Sequence, residues 1–558
     1  MRFIYGVLFS ALMLVGGPAT DAVAEEVLSE SEVHAFFDFV DEGELFDIEE
    51  VGYVSDSGCD VCCDDCGEQS ICSDDCGCGG DCGCGGDCGA ECICGDDCDC
   101  GVDCGCGGDC GCGGDCGDIC IDGGCGSCGC SVGKGQKNYL QGHLDNKYET
   151  GVKFGGELRL RYHNEESLGF SSDGVTAAGG PAGIGFQGTN EDFLLTRLRL
   201  WGDWTVNESI RVYVEGIYSD SLAEDSFQFR AIDRNFGDVQ NVFVDTQLTD
   251  NLTFRVGRFE HQYGAQRLLS PLDWANTRQR FEGVKFLYNQ DDWTIDAWWS
   301  VFVPVVTNEA DEGDYNRRLY GAYATNKSYD NAAYDFYYIG FDDTRAVAGG
   351  DFSLHTVGAR MWGSEGSWLY EAEGGYQFGR QSGLGVDHRA SFFTVGLGKK
   401  LKIKEEWNPI LWFYYDYASG DDESSNTFNN FNQLFPLAHK YLGFSDFAAR
   451  SNISSPNVLL TTAPTDKWKF LAWYYYLASA EQSAAVPGIA TNTVTLQNDV
   501  SNDFVHTLDL LAQYNFNEKS DIIFGYSTVW AGDKLEGGVD AVLDSDANFF
   551  YTQWTLRF

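Results

Sequence analysis

The final stretch of the chain, Asn548 to Phe558, reads NFFYTQWTLRF. In an extended strand, Phe550, Thr552, Trp554, Leu556 and Phe558 share one face, and Phe549, Tyr551, Gln553, Thr555 and Arg557 share the other. The first face is apolar and aromatic up to the terminal residue. An aromatic strand with an unpaired edge invites aggregation. Two settings remove that hazard: a sheet closed on itself, and hydrocarbon as the solvent of the apolar face. A central strand of a soluble sandwich is the plain alternative.

The residues before it favour the closed sheet. From Gly151 onward, segments of roughly ten residues alternate apolar with polar, and the connections between them are short and long in turn, as in transmembrane barrels. Phe193–Val206 reaches Ile210–Asp220 through the turn Asn207-Glu208-Ser209. Val239–Thr249 reaches Leu252–Glu260 through Asp250-Asn251, and Phe281–Gln290 reaches Trp293–Val303 through Asp291-Asp292. Keeping short turns at one end through to Asn548–Phe558 requires an even number, about 18 antiparallel strands, with the C-terminus on the periplasmic side. The fold class expected is therefore all-β, a transmembrane antiparallel barrel.

Charge decides which face is which. Arg159 and Arg161 alternate with Leu158, Leu160 and Tyr162. Arg197 and Arg199 alternate with Thr196, Leu198 and Leu200, Arg211 with Ile210 and Val212, and Arg255 with Phe254 and Val256. A charge facing lipid near the midplane costs roughly 2–4 kcal/mol, so these arginines should face the lumen. Trp201, Trp204, Trp293, Trp299, Trp468, Tyr474 and Tyr476 fall near strand ends and suit interfacial aromatic girdles.

The N-terminal part has a different composition. Met1 to Ala24 has Arg2, an apolar run from Phe3 to Val15 and the small-residue site Ala22-Val23-Ala24, as a secretory signal peptide does. Residues 25–58 form an acidic leader. In it Val33, Phe36, Phe37 and Val40 recur at helical spacing, readable as a short amphipathic helix or as an acidic tail without structure. All 23 cysteines lie between Cys59 and Cys130. There a hexapeptide close to Asp-Cys-Gly-Cys-Gly-Gly repeats, with almost no apolar side chain from which to build a core. Such a segment is either disordered or ordered by disulfides, within the chain or to partners through Cys59–Cys130. Its C-x-C and C-x-x-C spacings also suit soft metals. The interleaved Asp residues raise thiol pKa values and disfavour a thiolate metal site, so no metal ligand or other cofactor is assigned. Residues 131–150 read as a linker, and 151–558 as the barrel.

The formal net charge of -50 excludes nucleic acid as a partner. The partners expected are outer-membrane lipid, a small or anionic solute and, because the terminal Phe558 resembles the insertion signal of bacterial outer-membrane barrels, the barrel-assembly machinery. The expected location is the outer membrane, with the cysteine-rich segment in the periplasm.

Four stretches carry a more specific likeness: RVGRFEHQYGAQRLLSPLDWANTRQRFEGV (Arg255–Val284), HTVGARMWG (His355–Gly363), YDYASGD (Tyr415–Asp421) and LFPLAHKYLGFSD (Leu434–Asp446). With them the chain resembles the alginate-export family of outer-membrane porins over most of Gly151 to Phe558. The resemblance implies an 18-stranded monomeric barrel whose pore is lined by basic residues and passes an anionic polysaccharide. Carried over by position, Arg255, Arg258, Arg267, Arg278 and Arg280 would stand near the constriction, and Arg159, Arg161, Arg197 and Arg199 on the facing wall. Arg211 and Arg360 complete the expected pore lining.

Three functions compete. Rings of arginine select anions in a narrow lumen. The plainer version is that the arginines pair with lumenal Glu157, Asp203, Glu215, Asp245 and Asp296 and hold the wall. A second function is structural, with the barrel anchoring a cross-linking cysteine segment. The third, an enzyme, needs a nucleophile, a histidine and a carboxylate at one place. Yet His163, His261, His355, His388, His439 and His506 are scattered over separate strands and loops, and the chain is read as non-enzymatic.

Overall fold

The computed structural model describes residues 151–558 apart from 167–189, 223–231, 308, 330, 348, 404–406, 423–425, 489–498 and 536–546. The readings of the signal peptide, leader, cysteine-rich segment and linker lie outside the described residues.

The strands are β1 (Gly151–Glu166), β2 (Glu191–Asn207), β3 (Ile210–Leu222), β4 (Asn235–Thr249), β5 (Leu252–Phe259), β6 (Phe281–Gln290), β7 (Trp293–Phe302), β8 (Asp314–Tyr329), β9 (Ala332–Asp343) and β10 (Phe352–Glu365). They continue as β11 (Trp368–Gln381), β12 (Val386–Lys400), β13 (Ile410–Ala418), β14 (Thr427–Phe428), β15 (Ile453–Thr465), β16 (Trp468–Ala478), β17 (Asp503–Asn517), β18 (Ser520–Ala531) and β19 (Ala547–Arg557). Each wall strand pairs antiparallel with its neighbours in the chain, and β1 pairs with both β2 and β19, so the sheet closes. The two-residue β14 is an addition that the alternation does not foresee. It lies parallel to β12 while β13 pairs directly with β15, which leaves 18 strands in the wall.

Closure runs from Glu157 opposite Arg557 to Glu166 opposite Asn548. The Gly156 amide donates to the Phe558 carbonyl at 2.7 Å, and the Phe558 amide to the Gly156 carbonyl at 3.0 Å. From Gly156 to Glu166 the seam is paired, as hydrocarbon requires. The tight connections, such as Asn207 to Ile210 and Thr249 to Leu252, share one end with both the start of β1 and Phe558. That is the periplasmic end of such barrels.

The two faces separate by charge. On β19, Phe549, Tyr551, Gln553, Thr555 and Arg557 are buried inward, and the alternate residues stand outward. Among the aromatic girdle residues, Trp204, Trp293, Trp299 and Tyr474 are exposed on the outer face. Trp201 differs. It shares the parity of Arg197, Arg199 and Asp203 and packs inward against buried Tyr213. Aromatic character alone does not distinguish a girdle residue from a lumenal one; strand parity does.

The lumen is filled. One apolar cluster joins Leu268, Leu269 and Trp274 between β5 and β6, Phe431, Phe435 and Tyr441 between β14 and β15, and wall residues including Trp412, Trp473 and Tyr475. The core of this molecule is therefore inside the cylinder, where two loops meet the wall.

Placing an arginine on the outer wall at Phe393, half-way along β12 and exposed, should lower stability by about 2–4 kcal/mol, whereas Trp368→Arg at the strand-end position should cost under about 1 kcal/mol. Urea unfolding in lipid vesicles measures both.

Candidate functional site

The site is built by the chain between β5 and β6, residues 260–280. It turns inward through left-handed backbone at Gly264 (φ 54°), Gln266 (φ 55°) and Leu272 (φ 55°). At Gly264 a Cβ would run into the Tyr323 hydroxyl, so glycine is needed there for space as well as conformation. The Ser270 hydroxyl donates to the Gln266 side chain at 2.8 Å and accepts from the Leu272 amide at 2.9 Å.

A second segment, between β14 and β15, meets this loop inside the barrel. The Phe435 amide donates to the Leu268 carbonyl at 2.9 Å, and the Ser270 amide donates back to the Phe435 carbonyl at 2.8 Å. The Leu437 amide donates to the Gln266 carbonyl at 2.9 Å, and the Tyr441 hydroxyl to the Ala265 carbonyl at 2.6 Å. Hydrogen bonding between two loops with no strand period of their own satisfies backbone groups that water does not reach.

Arginines clamp this pair of loops to the wall. Arg159 donates to the carbonyls of Asp273 (2.8 Å) and Ala275 (2.9 Å), and Arg161 to that of Trp274 (2.6 Å). Arg197 bridges Glu157 at 2.7 Å and Asp273 at 2.8 Å. Arg278, in the loop itself, pairs with Glu260 at 2.7 Å and with Asp273. Asp273 thus receives three arginines, and the charges are held by several hydrogen bonds each, which offsets the cost of taking them out of water.

The remaining predicted pore residues are also inside and paired. Arg199 meets Glu215 at 2.6 Å; Arg211 bridges Asp203 (2.8 Å) and Asp245 (3.0 Å); Arg255 meets Asp245 at 2.7 Å. Arg258 reaches Glu282 at 2.6 Å, and Arg280 reaches Asp238 at 3.0 Å and Asp311. Across the lumen, Arg267 crosses from the loop to Glu371 (2.7 Å) and Glu373 (2.8 Å) on β11, and Arg360 shares Glu371 at 2.9 Å. Four of the five expected carboxylates, Glu157, Asp203, Glu215 and Asp245, take these partners. Asp296 accepts instead from the Tyr263 hydroxyl at 2.8 Å.

An aromatic stack ties the clamp together. The Arg161 guanidinium lies 3.8 Å from the centre of the Trp274 ring, and His439 of the second loop stacks on the same indole at 3.4 Å and 2°. Asp446 holds the His439 Nδ1 at 3.1 Å.

The six described histidines are not gathered at one place. His163 and His439 are buried against the same Trp274 ring, His261 and His388 are buried elsewhere, and His355 and His506 contact Tyr338 and Tyr474 on the outer wall. His261 Nε2 lies 3.0 Å from Ser300 Oγ, but that hydroxyl gives its proton to the Leu319 carbonyl at 3.1 Å. His261 Nδ1 has no hydrogen-bond partner among the described residues, so no carboxylate orients the ring. No group of metal-ligating side chains occurs among the described residues.

Sequence reasoning missed Asp273, Glu260, Trp274, Glu371, Glu373 and Arg450, the last paired with Asp416 at 2.7 Å. Glu371 and Glu373 could have been found, because they alternate on β11 as the arginines do on β1. The loop residues carry no period to read.

A closed barrel with charges inward, an apolar outer face and long loops folded into its lumen defines an outer-membrane channel. The family described as alginate export matches residues 178–547, and the chain belongs to it. In fold the chain is similar to OccAB1 of Acinetobacter baumannii, at 11% identity over 74% of this chain and 99% of that one, with a TM-score of 0.51. It is also similar to OpdQ of Pseudomonas aeruginosa, at 13% identity over 73% of this chain and 97% of that one, with a TM-score of 0.47. No curated protein sequence matches the chain.

Burial, and secondarily the nearby Lys285 ammonium, hold the His261 imidazole well below its usual pKa of 6.5. A base with a lowered folded-state pKa contributes fully above its unfolded value and loses that contribution as pH falls below it. Between pH 6.5 and 5, unfolding free energy should therefore fall by up to about 1.4 kcal/mol per pH unit on account of His261. His261→Gln should remove that part of the slope, as read by denaturant unfolding at stepped pH.

Proposed function

We propose that this outer-membrane channel passes small and anionic solutes passively, acidic sugars of the alginate kind among them. In this reading its pore is lined by Arg159, Arg161, Arg197, Arg199, Arg211, Arg255, Arg258, Arg267, Arg278, Arg280 and Arg360. One observation carries the reading: the loop of residues 260–280 lies inside the cylinder and is fastened there by arginines from the wall.

The arginines then serve two purposes. Those matched by carboxylates, such as Arg199 with Glu215 and Glu157, brace the wall and add little net field. Arg159 and Arg161 direct much of their donor capacity at main-chain carbonyls of the loop, so they hold it in place beside the passage. Arginines that face a narrow, low-dielectric passage lower the energy of an anion there. Family membership supports the same substrate class.

In a planar bilayer under a salt gradient, single channels should show a reversal potential on the anion side, and Arg159→Gln with Arg161→Gln should reduce that preference several-fold. Cation preference in the unaltered chain, or an unchanged preference in the double variant, would reject the anionic-solute reading.

A further inference from the structure

The outer wall from β15 to β19 is not smooth. Ala472 on β16 and Ala512 on β17 both face outward, between the larger Leu460, Phe470, Leu510 and Phe524. The registers place Leu460, Ala472, Leu510, Tyr526 and Phe550 in one row across five strands. Phe470, Ala512 and Phe524 form the next row towards the periplasmic end. The two alanines therefore lie diagonally, with aromatic rings around them. Their small side chains leave a groove of about 390 Å³ with an almost wholly apolar lining.

Below the groove comes a girdle. Trp468, Tyr514, Ile522 and Trp554 stand opposite one another across β16, β17, β18 and β19. Trp468 packs on Tyr514 at 4.8 Å and on Phe470 at 5.5 Å, which links the girdle to the groove. The Trp554 indole donates to the Ser520 hydroxyl at 3.0 Å. Beyond the girdle are two short turns, and each has an acid followed directly by a lysine: Asp466-Lys467 and Glu518-Lys519. Lys467 is exposed, with its ammonium 5.9 Å from the Tyr514 ring and 3.3 Å from the Phe516 carbonyl.

We propose that this strip is a binding site for one phospholipid of the periplasmic leaflet with a zwitterionic amine headgroup. An acyl chain fills the groove, the glycerol region meets the girdle, and the turns meet the headgroup. Lys467 and Lys519 provide for the phosphate, Asp466 and Glu518 for the ammonium. The occupant follows from place and shape. The groove faces hydrocarbon, and a gap there forfeits dispersion contacts unless something slender fills it. Lipid tails are as apolar as the groove wall, so burial itself gives no preference among lipids. Selection must come from the fit between the ridges and from the headgroup. Equal numbers of acids and lysines in the two turns match a zwitterion better than an anionic headgroup.

The test is native mass spectrometry of the full-length protein, extracted in mild detergent with an equal mixture of phosphatidylethanolamine and phosphatidylglycerol. One phosphatidylethanolamine per barrel should be retained. Ala472→Phe with Ala512→Phe, which fills the groove from the lipid side, should reduce retention at least tenfold. Asp466→Asn with Glu518→Gln should remove the preference between the two lipids. Heat-modifiable migration on gels confirms that the variants remain closed barrels; should the paired Phe variant not fold, Ala512→Leu takes its place with a smaller loss expected. Equal retention by the filled groove, equal retention of both lipids by the unaltered chain, or a dimer that the filled groove abolishes would each overturn the proposal.

Discussion

A charge cannot stay in the hydrocarbon of a bilayer without a cost of roughly 2–4 kcal/mol at the midplane. A wall strand that carries arginine at hydrocarbon depth must therefore turn that residue inward, and outward arginines such as Arg380 and Arg389 stand near the strand ends away from the short turns. Because side chains alternate strictly, one such choice sets the facing of the whole strand. β1 shows this with Arg159 and Arg161 buried inside, and β19 follows through the seam, with Arg557 inside and Leu556 outside. The same rule brings Glu157, Asp203, Glu215 and Asp245 to the interior, where they meet the arginines. Lumenal polarity is thus a consequence of the membrane before it is a device for transport.

That crowding of opposite charges makes the loops possible. A loop inside a cylinder has main-chain carbonyls to satisfy, and the wall offers guanidinium groups with donors to spare. Arg159 and Arg161 take up the carbonyls of Asp273, Trp274 and Ala275, while the Asp273 carboxylate gathers Arg197 and Arg278. The second loop attaches to the first through the Phe435 and Leu437 hydrogen bonds and the stacking of His439 on Trp274. The filled lumen is a chain of dependencies: lipid sets parity, parity sets the charge lattice, and the lattice holds the loops.

This order explains what could be read from the sequence. The strands were legible because period-two alternation and short polar turns are local signals, so Trp368–Arg380 and Asp503–Phe516 anticipate β11 and β17 closely. The inward arginines were legible for the same reason, and so were the wall carboxylates that share their parity. Trp201 reads as a girdle residue by its aromatic character, but its parity with Arg199 turns it inward. The inward course of residues 260–280 and their union with Phe435 are aperiodic and depend on partners more than a hundred positions away, so the residues alone do not display them. Asp273 as the meeting point of three arginines belongs to that class, and so does the His439 stack.

The central claim is that wall arginines hold the inward loops and so set the bore. The size of neutral polymer excluded from the open channel tests it most directly, in the unaltered chain and in Asp273→Asn, which removes the carboxylate shared by Arg159, Arg197 and Arg278. Breaking a buried charged cluster of this kind costs about 3–5 kcal/mol, enough to displace the loop. The account predicts a larger polymer cut-off and a higher conductance in the variant, with the barrel still closed. An unchanged cut-off in a correctly folded variant would contradict it, because the bore would then be set by something other than the clamped loop.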